Sequence, residues 1–133
     1  MAVALVAILA AVAMPAYFDS VRKSRRSEAF AAMAQVQQAQ ERRRANEPAY
    51  TTSVADLVPN ATTPNGYYTL AIDSADAAGY VATATAAGAQ DKDTRCHQLR
   101  VRVAGGNIGY GSACKGCNFT NPLTDPNACW NRQ

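Results

Sequence analysis

Hydrophobic and polar positions divide this chain sharply. Met1 to Phe18 carry no charge, and then the basic run Arg22-Lys23-Ser24-Arg25-Arg26 begins. Eighteen helical residues span about 27 Å, close to the roughly 30 Å hydrocarbon core of a bilayer. Helical character continues from Asp19 to Asn46, where there is no Gly or Pro and much Ala, Gln, Glu and Arg. Within it Ala29, Ala32, Val36 and Ala39 form one stripe, with Phe30, Met33 and Gln37 beside it. Asn46-Glu47-Pro48 is a stop, because the residue before proline avoids the helical region. A helix of that length reaches about 70 Å, more than a small domain can cover. Half of it must therefore find a partner in lipid or in other subunits.

After the helix the period changes. Residues 48–66 read as a connection with a short helix near Val54–Val58, followed by turn signals at Pro59-Asn60 and Pro64-Asn65-Gly66. Gly66–Ile72, Tyr80–Ala86 and Gln98–Val103 alternate and are β-prone, with Leu99, Val101 and Val103 on one face of the third. Ala104-Gly105-Gly106-Asn107 predicts a hairpin turn into a short fourth strand, Ile108–Tyr110. The pattern gives an α+β chain: a long N-terminal helix covering an antiparallel sheet of about four strands. Its parts are an apolar helix that spans a membrane or packs on other copies of itself (1–18), an amphipathic continuation (19–46) and a head (47–133). Residues 111–133 have little period and read as a loop stapled by cysteines.

The apolar segment admits three uses. A signal peptide would have a basic n-region and a shorter apolar run; neither is seen, and Pro15 interrupts the stretch. A plain anchor is the second. The third is a helix made to pack on copies of itself, favoured by alanines at three- and four-residue spacing.

Charge and cysteine content narrow the picture. The net charge is +3, but residues 19–47 hold seven basic and four acidic side chains, whereas 48–133 hold six of each. The surplus belongs to the helix, which argues against a head dedicated to reading nucleic acid. Arg42-Arg43-Arg44 could attract phosphate, but they sit where the helix enters the head, so a charged face toward neighbours is the expected use. Positive charge after the apolar segment would place the head in the cytoplasm. Four cysteines, Cys96, Cys114, Cys117 and Cys129, point instead to an oxidising compartment, and we give them more weight. Four cysteines allow three pairings. The Cys114-Lys115-Gly116-Cys117 motif lacks the following histidine of a c-type haem site. It also lacks the helical setting of a redox-active pair, and a second CxxC for four-cysteine zinc. Trp130, the sole tryptophan, is expected to pack under the loop.

No catalytic constellation is visible. His97 is the only histidine, no Ser or Cys has an evident base, and no Gly-rich phosphate loop follows a strand. No enzyme activity, cofactor or metal is expected.

The order of apolar helix, amphipathic helix, antiparallel sheet and Cys-bounded loop resembles the type IV pilins of bacteria. Val6–Tyr17, with its proline, is similar to the pilin N-terminal signature. Gly66–Leu70, Ala82-Thr83-Ala84, Asp93-Thr94-Arg95-Cys96 and the closing Cys129-Trp130 look like the small "E"-type pilins, often minor pilins. The start departs from the family pattern: the basic leader, the cleavage site, and the phenylalanine and glutamate that follow it (in the family the first residue is methylated) are not seen, so a truncated N-terminus is expected.

The resemblance implies a structural subunit of a type IV pilus. Such a subunit waits in the inner membrane and is drawn by the assembly machinery into an extracellular filament with copies of itself and other pilins. Val3, Val6, Leu9 and Val12 would lie in the filament core, and Pro15 would loosen the helix. Asp19, Arg22, Lys23, Arg25, Arg26 and Glu28 would meet charges on neighbouring subunits. By the same resemblance Cys96 pairs with Cys129 and Cys114 with Cys117, with a cross-pairing of Cys96 to Cys114 or Cys117 as the alternative. Adhesion, twitching motility, DNA uptake and phage attachment all remain open, and with them nucleic acid as a partner. Rival readings are a type II secretion pseudopilin, disfavoured by the absence of loop acids suited to calcium, a membrane-anchored periplasmic binding domain, and a tethered thiol oxidoreductase using Cys114 and Cys117.

Overall fold

In the computed structural model, which describes residues 2–130, one helix, α1 (Ala2–Asn46), runs the length of the molecule. At about 1.5 Å per residue its 45 residues extend some 68 Å. Residues 2–20 are exposed throughout, and the helix contains an 18-residue window of mean hydropathy 2.0 with none of it buried. Pro15 lies inside α1. Met1 and residues 131–133, the ends of the expected anchor and head, lie outside the described residues.

The second half of α1 turns its predicted stripe inward. Ala29, Ala32, Met33, Val36, Ala39 and Gln40 are buried against a four-stranded antiparallel sheet. The strands are β1 (Tyr68–Ala75), β2 (Gly79–Ala86), β3 (Gln98–Ala104) and β4 (Asn107–Ala113), paired in chain order. Leu70 and Ile72 of β1, Ala82, Ala84 and Ala86 of β2, and Leu99, Val101 and Val103 of β3 supply the sheet side of the core. Alanines on both α1 and β2 leave little side-chain bulk between helix and sheet. Gln40 closes the far end of the contact: its amide donates to Thr51 O at 2.7 Å and accepts from Thr51 N at 3.1 Å.

The strand boundaries differ from expectation in two places. β1 starts at Tyr68 rather than Gly66, because Gly66 sits in a turn at φ 71°, and it runs on to Ala75. β4 is not short: it has seven residues, as many as β3, and pairs from Asn107 to Ala113. Gly109 and Gly111 hid its alternation, since a glycine belongs to neither the apolar nor the polar face. The connection contains a 3-10 turn at Val54–Asp56, shorter than the predicted helix, and a second turn, Gly88–Lys92, follows β2. Gly105 and Gly106, at φ 55° and 81°, make the predicted two-residue hairpin turn, which needs positive φ at both positions.

Candidate nucleic-acid interface

The face of the sheet turned away from α1 is built from residues that alternate with the core. On β3 these are Arg100 and Arg102, about 7 Å apart along the strand. Arg100 is half-buried and held. Its Nε donates to Thr83 Oγ1 at 3.0 Å and its Nη2 to Asp73 Oδ2 at 2.8 Å. Thr83 Oγ1 itself donates to the same carboxylate oxygen at 2.5 Å. Asp73 sits where the β1–β2 register shifts between Ile72 and Ser74. Such an irregularity re-aims a side chain. The Arg100 guanidinium also lies 3.8 Å from the centroid of the Phe119 ring.

Phe119 comes from the C-terminal segment, which crosses β4 on this outer face. A Cβ on Gly111 would come 3.0 Å from Leu123 Cδ2, so the two strand glycines leave the space the segment fills. Ser112 N donates to Thr124 O at 3.0 Å. Asp125 gathers the end of the chain, accepting from Ser112 Oγ (2.5 Å), Cys129 N (2.8 Å) and Trp130 N (3.0 Å). Trp130 reaches the other side of the sheet, where it stacks on Phe30 at 5.2 Å, meets Tyr110 edge-on and donates Nε1–H to Gly111 O at 2.7 Å. It is 8% exposed, buried between α1 and β4. Disulfides join Cys96 to Cys129 and Cys114 to Cys117.

Between this segment and the ends of β2 and β3 lies an open cleft of about 360 Å³, lined by Arg100, Arg102, Phe119, Thr120 and Asn121 among others. Arg102 is exposed and has no ionic or hydrogen-bonded partner among the described residues. Lys92 and Arg95, on the loop leading into β3, are likewise exposed and unpaired. Lys115 reaches that loop too, donating its N–H to Thr94 O at 2.8 Å and its ammonium to Asp91. Asp91 also faces His97 Nε2 at 2.9 Å. The hydrogen bond from Lys115, and secondarily that from His97, holds the Asp91 carboxyl below its usual range.

The six acids of residues 48–130 each face a partner. Asp93 pairs with Arg26 through two bonds, at 2.7 and 3.0 Å. Asp76 caps Ala78 N and Gly79 N. Asp56 faces Arg43 at 3.9 Å. Asp73, Asp91 and Asp125 are accounted for above. The bases divide differently, and Lys92, Arg95 and Arg102 project into solvent. Equal numbers of acids and bases over residues 48–133 thus conceal an unequal distribution.

The residues singled out from sequence lie elsewhere. Val3, Val6, Leu9 and Val12 are 83%, 65%, 69% and 73% exposed. Asp19 and Arg22 pair on the helix surface at 3.1 Å, and Lys23 is exposed. Arg25 lies over the Tyr67 ring at 4.6 Å. Arg26 and Glu28 have partners in their own head: Arg26 in Asp93, and Glu28 in Thr63 Oγ1 (2.7 Å) and Asn65 Nδ2 (2.6 Å). The sequence reading missed Lys92, Arg95, Arg100, Arg102 and Phe119 as a set. The one signal available was Arg100-Val101-Arg102, which places two arginines opposite the core. Among the described residues no group of His, Cys, Asp and Glu is arranged to hold a metal ion.

A family model described as "Type IV minor pilin ComP, DNA uptake sequence receptor" matches residues 15–100, more than half of the chain. No curated protein matches it.

Proposed function

Because the chain belongs to the ComP family of type IV minor pilins, we propose that it is a fibre subunit whose head binds DNA through the outer face of its sheet. The observation that carries this reading is the exposed, unpaired Arg102 beside the Arg100–Phe119 stack, where Asp73 and Asp125 are tied down; Lys92 and Arg95, also exposed, lie at the α1 end of the head with Arg22 and Arg26 and would extend the contact along a duplex. Arginine and lysine on a phosphate backbone position the duplex, while base edges and groove shape give any preference for sequence. Arg102, with Thr120 and Asn121 on the cleft rim, has the donors for either task. The exposed apolar half of α1 supports membrane residence before assembly and burial among other pilin helices afterwards. A heterologous contact that does not close on itself extends into a thread.

The test is duplex DNA binding by the purified chain, followed by fluorescence anisotropy over a salt series. Three phosphate contacts give a slope of log K against log salt of about −2.7, or about 40-fold weaker binding at 200 than at 50 mM. Arg102→Ala should flatten the slope by about 0.9. Binding that is absent at low salt, or whose slope ignores the loss of Arg102, would overturn the assignment.

A further inference from the structure

A second concavity lies on the opposite side of the head, between α1 and the end of the β3–β4 hairpin. It is an open groove of about 650 Å³ walled by Gln37, Glu41 and Arg42 of α1 and by Tyr80, Val103 and Ile108 of the sheet. We propose that this groove is a docking site for an adjacent pilin subunit in the fibre, which inserts an apolar side chain together with a backbone carbonyl.

Three features support that occupant. Ile108 is 55% exposed and is the only large apolar side chain of the head, among the described residues, left so open; the others are all on residues 3–18 of the bare helix. Two buried polar atoms of the groove's lining residues, Tyr80 Oη and Gln37 Nε2, have no hydrogen-bond partner among the described residues. Tyr80 is only 2% exposed, and its ring is fixed against Tyr50 at 5.0 Å, so its hydroxyl cannot swing out to water. Both orphans can donate a hydrogen bond, and buried donors are costly unless an acceptor reaches them. A backbone carbonyl beside an apolar side chain fits donors set in an apolar wall. The rim carries one charge of each sign, Glu41 and Arg42, which suits an uncharged segment of protein rather than phosphate or another polyanion. Finally, the helical wall is continuous with the exposed face of α1, whose apolar half needs neighbouring subunits to cover it outside a membrane. A subunit that packs on α1 therefore passes the mouth of the groove.

This inference rests on the chain entering the fibre, and the test separates the two. A photoreactive benzoylphenylalanine is placed at Ile108 of the full chain in its own cells, with Thr69 on the opposite face as the control site. Sheared fibres are irradiated and the adducts sequenced by mass spectrometry. The expected result is a covalent adduct from position 108, and not from 69, to a peptide of another pilin head. Ile108→Asp should lower recovery of the chain in fibres by about tenfold or more while its membrane pool stays unchanged, the scale set by a carboxylate taking the place of a buried aliphatic side chain. Chain present in fibres but without the adduct, or joined only to a small molecule or a non-pilin protein, overturns the docking site alone. Wild-type chain missing from fibres overturns the fibre reading and this one with it.

Discussion

The two disulfides should contribute unequally to stability, and the inequality can be worked from chain separation. Cys96–Cys129 closes 33 residues and Cys114–Cys117 closes three. In the chain-entropy treatment the first loop removes about 3.7 kcal/mol of denatured-state freedom at 25 °C and the second about 1.6. The short loop is nested inside the long one, so with Cys96–Cys129 intact its separate effect is smaller still. Burial widens the gap. Cys96 and Cys129 are each 1% exposed in the core cluster, whereas Cys117 is exposed. Truncating the first pair therefore also removes packed sulfur. Cys96→Ala/Cys129→Ala should cost about 4 kcal/mol or more, a large part of the 5–15 kcal/mol typical of a domain. Cys114→Ala/Cys117→Ala should cost less than half as much.

Trp130 reports on the outcome directly, being the sole tryptophan and packed between Phe30 and Tyr110 beside Cys129. Guanidinium unfolding of the detergent-solubilised chain, followed by its fluorescence, should show the midpoint of the first variant lowered by about 1 M, given a slope near 4 kcal/mol/M. Equal losses for the two variants, or the reverse order, would refute the loop-length reasoning. They would mean that the strap from Asn118 to Ala128 is held by Asp125 and Leu123 rather than by the distant sulfur bridge.

Two further outcomes follow from the packing. Gly111→Val puts a side chain where Leu123 and Thr124 O already sit, at 3.0 and 3.2 Å from a Cβ, so it should cost about 1–3 kcal/mol in the same unfolding assay; by lifting Phe119 off Arg100 it should also weaken DNA binding, and an unchanged midpoint would show that the segment yields freely. In alkali, burial pushes the Tyr68 hydroxyl up to about 12 and raises Tyr80 as well. The unfolded chain therefore releases those protons first, so the stability these two groups contribute is fully present below pH 10 and is lost as pH rises toward 12; melting temperature against pH should show this fall, shallower in Tyr68→Phe, and a flat profile from 10 to 12 would contradict it.

What could be read from sequence was whatever has a period. Ala29, Ala32, Val36 and Ala39 repeat at helical spacing, and all four are buried. Leu99, Val101 and Val103 alternate, and β3 lies where they put it. The Gly105-Gly106 turn announced itself because positive φ at two adjacent positions is costly for other residues. Elements without a period were placed less well. The first two residues assigned to β1 are a turn, because Gly66 supplies φ 71° and Tyr67 passes beneath Arg25. β4 was truncated at its glycines, whose requirement is set by Leu123 more than ten residues away. The candidate DNA face was hidden for another reason. A net count treats every carboxylate as surface charge, yet Asp93 is spent on Arg26, and Asp125 on Ser112 of β4 and two backbone N–H groups of the C-terminal segment. Phe119 reaches Arg100 only through the fold, and nothing in local spacing could pair them.

The head grips α1 through polar groups just where the helix leaves its bare stretch. Gln90, fully buried, directs its amide N–H groups at Arg22 O, Tyr68 Oη and Asp93 Oδ2, at 3.0–3.1 Å, while Asp93 holds Arg26. An apolar contact at this point would have continued the greasy stripe and left the position of the head along the helix weakly specified. A charged and amide clamp has one register, because a slip of one residue turns Arg26 by about 100° away from Asp93. Leaving such a pair half-made costs several kcal/mol. The clamp therefore sets how much helix protrudes. Residues 2–20 amount to about 29 Å, the thickness of a bilayer core. Arg22, Lys23 and Arg25 follow at once. In the proposed fibre the same fixed overhang would set a constant depth at which each subunit enters a bundle of helices. On that reading the register of Arg26 against Asp93 would tie the fold of one head to the spacing of a fibre.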